Sequence, residues 1–151
     1  MKWKFIKIMP FIRYYKTGKL ILNDRYFKES RQKSSLELLK KPKRTEIINH
    51  LLSCKANSVY LEIGVRYPEA NYDKIIAGEK YSVDPGIENK DNPADFRMTS
   101  DRFFELLSAG EILNPDIRFD VIFIDGLHTA FQVDRDITNS LRFLNDDGFI
   151  V

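Results

Sequence analysis

Cysteine is nearly absent from this chain of 151 residues: Cys54 stands alone. One cysteine excludes an intrachain disulfide and a cysteine-rich zinc site. Cys54 lies beside the apolar face of a predicted helix, so a buried, inert thiol is expected. Histidine is as scarce. His50 and His128 are the only candidates for imidazole metal ligands or bases, and His50 falls on a polar helix position that suits the surface. No apolar run approaches the ~20 residues of a membrane-spanning helix. The opening Met1–Pro10 interrupts its apolar side chains with lysines, unlike a secretory signal, whose core is unbroken. A cytoplasmic protein is the expectation, and a reducing compartment suits the lone thiol.

What is present is divided by charge. The formal net charge is only +2, yet residues 1–44 hold 14 basic and 3 acidic side chains, and residues 45–151 hold 10 basic and 19 acidic ones. A basic arm, 1–44, thus precedes an acidic body, 45–151. The hydrophobic fraction, 43%, is enough for the core of one domain. In the arm Trp3, Phe5, Ile6, Ile8, Phe11, Ile12, Tyr14 and Tyr15 alternate with Lys2, Lys4, Lys7, Arg13 and Lys16. Such a mixture fits an anionic membrane surface or a nucleic acid. The plainer reading has the aromatics packed on the body and the lysines in water. The acidic body argues against a phosphate-binding groove across the whole protein.

Along the body, helix and strand patterns alternate. Residues 1–33 show no sustained period, Ser34–Lys40 reads as a short helix, and Pro42 interrupts it. Thr45 suits the cap of a helix over 46–53 whose Ile47, Ile48, Leu51 and Leu52 share one face. Strands are predicted at Ser58–Ile63, Lys80–Val83, Asp95–Met98, Phe119–Ile124 and from Phe149. Helices are predicted at Pro68–Ala77, after a Ser100 cap, and over Phe131–Leu144, where Val133, Ile137, Leu141 and Leu144 fall in register, with Asn145–Gly148 as a stop. The nearly unbroken apolar run Phe119–Ile124 is typical of a strand covered on both faces. Strands alternating with helices imply a doubly wound α/β fold around a parallel sheet, with ligands outside the carboxyl ends of the strands.

The residues at those ends are mainly acidic: Glu62 to Gly64, Asp84, Thr99-Ser-Asp101, and Asp125-Gly-Leu-His128. Glu62 and Asp84 are separated like the parts of a strand–turn–helix–strand unit whose second acid holds ribose hydroxyls. A carboxylate accepts from two vicinal hydroxyls more strongly than an amide does. That favours an adenosine-containing ligand. After Gly64 the chain runs Val-Arg-Tyr-Pro-Glu69, without the further glycines that let a backbone approach a pyrophosphate. This disfavours a dinucleotide such as NAD, and Glu62 would repel its phosphates. A cationic nucleoside without phosphate, S-adenosylmethionine, fits better. Plainer roles stand beside these. Glu62 suits a helix cap or a pair with Arg66, Asp84 a Pro-Gly turn, and Ser100 a helix cap rather than a nucleophile. Two roles fit His128 equally: general base for an acceptor hydroxyl, or a loop side chain bonded to Asp125. Two candidate ligands do not define a metal site, so none is expected. The pair Phe103-Phe104 reads as core rather than as a stacking platform.

Four segments together carry a resemblance: Val59-Tyr-Leu-Glu-Ile-Gly-Val65, Tyr81-Ser-Val-Asp-Pro-Gly86, Met98-Thr-Ser-Asp-Arg-Phe-Phe104 and Phe119-Asp-Val-Ile-Phe-Ile-Asp-Gly-Leu-His128. Over 45–151 the chain resembles class I S-adenosylmethionine-dependent methyltransferases, nearest in type to methyltransferase domain family 24. The resemblance implies a Rossmann-like sheet, with Glu62 and Gly64 near the methionine part of S-adenosylmethionine and Asp84 on its ribose. It also implies Thr99, Ser100 and Asp101 near the adenine, and Asp125 at the mouth of the transfer site. The implied reaction moves a methyl group to an oxygen or nitrogen of a small-molecule or glycan acceptor, with His128 as base and Asp125 orienting it or the acceptor. Class I domains carry seven strands, so the resemblance makes this chain an incomplete domain ending in its fifth strand. An open sheet edge and self-association are then expected. The competing expectation is a non-catalytic cofactor-binding piece whose basic arm contacts membrane or nucleic acid.

Overall fold

A computed structural model describes residues 15, 17–39, 41–89, 91 and 93–151. The expectations for residues 1–14 and Lys16 lie outside the described residues. The chain forms two compact units, Met1–Pro42 and Lys43–Val151.

In the first unit, helix α1 spans Arg25–Leu39, well beyond the short helix expected from Ser34. It begins where the Asp24 carboxylate accepts the Phe27 amide at 2.9 Å, an N-cap. Arg25 pairs with Glu29 one turn on, at 2.7 Å. No period is legible there because apolar and charged residues are distributed all round the helix, so capping and side-chain pairs define it rather than a stripe.

The second unit opens with helix α2, Arg44–Ser53. It starts before Thr45 because Glu46 reaches back to accept the Lys43 amide at 2.9 Å. The Thr45 hydroxyl is used elsewhere, donating to Asn71 Oδ1. Ile48 and Leu52 are the buried stripe of α2. Cys54 is exposed rather than buried. Two residues beyond Leu52 is about 200° round the helix, off the apolar stripe, and its thiol donates to the His50 carbonyl at 3.4 Å.

Four strands follow: β1 Val59–Ile63, β2 Glu79–Val83, β3 Phe119–Ile124 and β4 Leu144–Ile150. All pairings are parallel, in the order β2-β1-β3-β4. Helix α3, Ser100–Ala109, precedes β3, and helix α4, Ala130–Leu141, precedes β4. Tyr60 of β1 packs with Ile48, Leu52, Val121 and Phe123 on the α2 side. Leu61 and Ile63 pack with Phe103, Phe104, Leu107 and Ile122 on the α3 side. Apolar side chains therefore cover both faces, the doubly wound α/β arrangement expected from the unbroken β3 pattern. Phe103 and Phe104 are core, their rings 5.3 Å apart.

Several element boundaries differ from expectation. The helix expected at Pro68–Ala77 is two 3-10 turns, Pro68–Ala70 and Tyr72–Lys74. Asn71 between them has φ −142° and ψ −62°, which breaks the helix and turns its amide inward. The strand expected at Asp95–Met98 is one parallel bridge, Val83 to Phe96. Asp95 curls onto Ser82, accepting its amide and hydroxyl, and the Met98 amide bonds back to the Phe96 carbonyl. Thr99, not Ser100, caps α3 by accepting the Arg102 amide. The stripe expected on α4 is not its buried face: Ile137 and Leu141 are exposed, while Asp136 and Ser140 are buried. Asp136 is tolerated there because its Oδ1 accepts from Ser100 Oγ at 2.6 Å and Gln132 Nε2 at 3.0 Å.

Helix α4 ends at Leu141, capped at Arg142 and short of the stop expected at Asn145–Gly148; that segment lies within β4 as a bulge, where Phe119 faces Leu144 and Val121 faces Phe149. An ion cluster holds it. Lys55 Nζ binds Asp120 at 2.8 Å and also Asp147, and Asn145 donates to Asp120 at 2.7 Å. Burial alone would raise the Asp120 carboxyl, but the Lys55, Val59-amide and Asn145 hydrogen bonds outweigh it and hold it below 3.8. A depressed carboxyl adds stability that is complete above its unfolded value and is lost as pH falls through the folded one. Asp120→Asn should therefore lower the urea midpoint at pH 7, with the gap to the unsubstituted protein closing below pH 3.8. A gap independent of pH would remove the charge from this account.

Candidate active site

Strand order reverses at β1: the chain leaves β1 for β2 on one side and returns as β3 on the other. The turns leaving these strands are joined by hydrogen bonds. The Gly64 amide donates to the Val83 carbonyl and the Asp125 amide to the Ile63 carbonyl, both at 2.8 Å. Gly64 adopts φ +92°. A Cβ there would lie 2.6 Å from Gly126 Cα and closer still to the Asp125 carbonyl. Its lack of a side chain lets two turns of the protein's own backbone cross.

Asp84, at the end of β2, is half-buried. Its Oδ2 accepts the Val65 amide at 2.9 Å and its Oδ1 the Gly86 amide at 2.6 Å. The turn role weighed from sequence is thus present. Each carboxylate oxygen has a second lone pair, so capacity for ligand hydroxyls is left.

Glu62 is 3% exposed. Two hydrogen bonds converge on its Oε2, from the Tyr60 hydroxyl at 2.7 Å and Asn71 Nδ2 at 2.8 Å. Asn71 in turn accepts from Thr45 at 3.0 Å, linking α2 to the segment after β1. Burial pushes the Glu62 carboxyl up, against the Tyr60 and Asn71 hydrogen bonds and the Arg44 charge. Burial also pushes the Tyr60 phenol up, followed by the nearby Glu62 charge, which keeps the phenol a donor. Glu62 does not pair with Arg66, which lies 3.4 Å from Glu88.

Asp125, at the end of β3, binds Arg44 Nη1 through Oδ2 at 2.8 Å. The Arg44 guanidinium also lies over the Phe123 ring, 5.4 Å from its centroid. His128 Nε2 is 3.6 Å from Asp125 Oδ1, an ion-pair distance rather than a hydrogen bond, with a side chain 77% exposed.

Glu62, Gly64, Asp84, Asp125 and His128 thus gather on three neighbouring strand ends. Thr99, Ser100 and Asp101 occupy the first turn of α3, and two of them engage α4: Ser100 bonds Asp136, and Asp101 pairs with Arg135 at 2.9 Å. Thr99 and Asp101 line a cleft of about 620 Å³ between these helices. Sequence reasoning missed Arg44, Tyr60 and Asn71. Tyr60 was legible, two residues before Glu62 on the same strand face. Arg44 and Asn71 reach the site only through packing.

The donor set matches a particular chemistry. Carboxylates at the strand ends suit hydroxyls and positive charge, and one guanidinium among them suits a carboxylate. No curated protein and no solved structure matches the chain. The family described as a methyltransferase domain, family 24, matches residues 33–151. That stretch includes the whole sheet and every strand-end residue named above, and the chain belongs to methyltransferase domain family 24.

Proposed function

We propose that the protein is a cytoplasmic S-adenosylmethionine-dependent methyltransferase acting on an oxygen or nitrogen of a small-molecule or glycan acceptor. The observation that carries this reading is the junction of the β1, β2 and β3 ends, where Asp84 and Asp125 stand on turns tied to that of Gly64. When bound, the cofactor supplies an electrophilic methyl group on a sulfonium. The protein's part is alignment and charge. Asp84, held by two backbone amides, accepts the ribose hydroxyls without reorienting. Glu62 and Asp125 provide negative charge on either side of the Gly64 turn. Thr99, Ser100 and Asp101 border the adenine end. His128, exposed and beside Asp125, takes the proton of an acceptor hydroxyl or amine, and Asp125 orients the imidazole.

Calorimetric titration with S-adenosylhomocysteine tests the reading. The protein should bind it, and Asp84→Ala should weaken binding about tenfold or more, the size of charged hydrogen bonds to a ligand. Because the variant also releases two backbone amides, its melting curve is measured alongside. A folded variant with undiminished affinity would refute the ribose assignment, and tighter binding of NAD than of S-adenosylhomocysteine would point to a dehydrogenase instead.

A further inference from the structure

Arg44 is the cation paired with Asp125, and the reaction assigned to this edge does not use it. Its position is built rather than incidental. It is the first residue of α2, and the turn it belongs to is fixed twice, by the Lys43–Glu46 hydrogen bond at 2.9 Å and the Thr45–Asn71 hydrogen bond at 3.0 Å. Asn71 continues this support to buried Glu62. The guanidinium is held on one side by Asp125 at 2.8 Å and beneath by the Phe123 ring. Asp125 engages only Nη1. Among the described residues Nη2 and Nε make no other hydrogen bond, and the side chain is 46% exposed. A planar fork with free N–H groups, fixed in orientation and open to solvent, matches a carboxylate.

We propose that Arg44 is a specificity-determining residue that reads the carboxylate of the ligand's amino-acid tail, with Asp125 both anchoring it and facing the tail's ammonium. The inference rests on the cofactor reading above and adds to it. A zwitterionic tail carries one negative and one positive group, and the Arg44–Asp125 pair presents the opposite pattern. A nucleoside lacking the tail has nothing for Arg44 to bind. Arg44 would thus separate S-adenosyl amino acids from simpler adenosine thioethers, which Asp84 alone does not distinguish.

Binding of two probes separates these contributions: S-adenosylhomocysteine, and 5′-methylthioadenosine, which keeps the nucleoside and thioether but lacks the tail. Both are titrated calorimetrically into the full chain and into Arg44→Gln and Arg44→Lys, with melting curves as folding controls. Arg44→Gln should weaken S-adenosylhomocysteine by about tenfold or more and methylthioadenosine by less than about twofold. Arg44→Lys, which keeps the charge but loses the fork, should fall between. Equal losses for both probes, or no loss for either, would overturn the role of Arg44 while leaving the cofactor reading in place. If the unsubstituted protein binds neither probe, the cofactor reading falls and this inference falls with it.

Discussion

Gly64→Ala is expected to remove a large part of the stability of the Lys43–Val151 unit. The added methyl group meets backbone, the Asp125 carbonyl and Gly126 Cα, rather than the end of a flexible side chain. The residue also sits at φ +92°, where an L side chain is strained. Strained backbone costs ~1–3 kcal/mol and overpacking about as much, so together roughly 2–6 kcal/mol is lost. Whole domains are stable by only ~5–15 kcal/mol. Gly126→Ala is the control. A Cβ there would meet Ile63 Cγ2 at an ordinary 3.5 Å, so less than about 1 kcal/mol should be lost. Urea unfolding followed by circular dichroism compares the two. Equal effects would show that the crossing of the two turns is not what requires glycine at 64.

Glu62→Gln should move stability and binding in opposite directions. Glutamine keeps the shape and an oxygen that accepts from Tyr60 and Asn71, but removes a buried negative charge. Burial raises the folded carboxyl above 4.5, the reverse of the Asp120 case. The ionised form therefore costs stability at every pH above the folded value. As pH falls through that value the folded state takes up a proton before the unfolded state does, and the cost disappears toward pH 4.5. At pH 8 the variant should be more stable by on the order of 1 kcal/mol, with the difference vanishing near pH 4.5. S-adenosylhomocysteine, whose tail ammonium is cationic, should bind it about tenfold more weakly or worse. A variant less stable at pH 8 would show that the carboxylate is retained for folding. A more stable variant with unchanged affinity would show that its charge is not used by the ligand.

The fold was legible because burial is continuous where the sheet is central. β3, buried from Phe119 to Phe123, reads as an apolar run, and strands separated by helical patterns read as a parallel sheet. The segments that misread are those where polar side chains decided the backbone. Pro68–Ala77 has helical spacing, but Asn71 turns inward to Glu62 and divides it. Asp95–Met98 alternates like a strand, but the Asp95 carboxylate binds Ser82 and bends it after one bridge. The α4 stripe misled because a pattern of apolar residues does not register that Asp136 has hydrogen-bond donors waiting in Ser100 of α3 and in Gln132 one turn back on α4.

The candidate site divides in the same way. Sequence alone determined which residues stand at the strand ends, because each ends or directly follows a segment with a strand pattern: Glu62 within β1 and Gly64 after it, Asp84 after β2, Asp125 after β3. Only the tertiary structure decided what surrounds them. It buried Glu62 against Tyr60 and Asn71, set the Asp84 oxygens on two backbone amides, and brought Arg44 across 81 positions of chain to Asp125. Strand ends are local properties of a hydrophobic pattern. Hydrogen-bond partners and ion pairs between distant segments are settled by how helices pack on the sheet, and that packing has no signature in the spacing of any one segment.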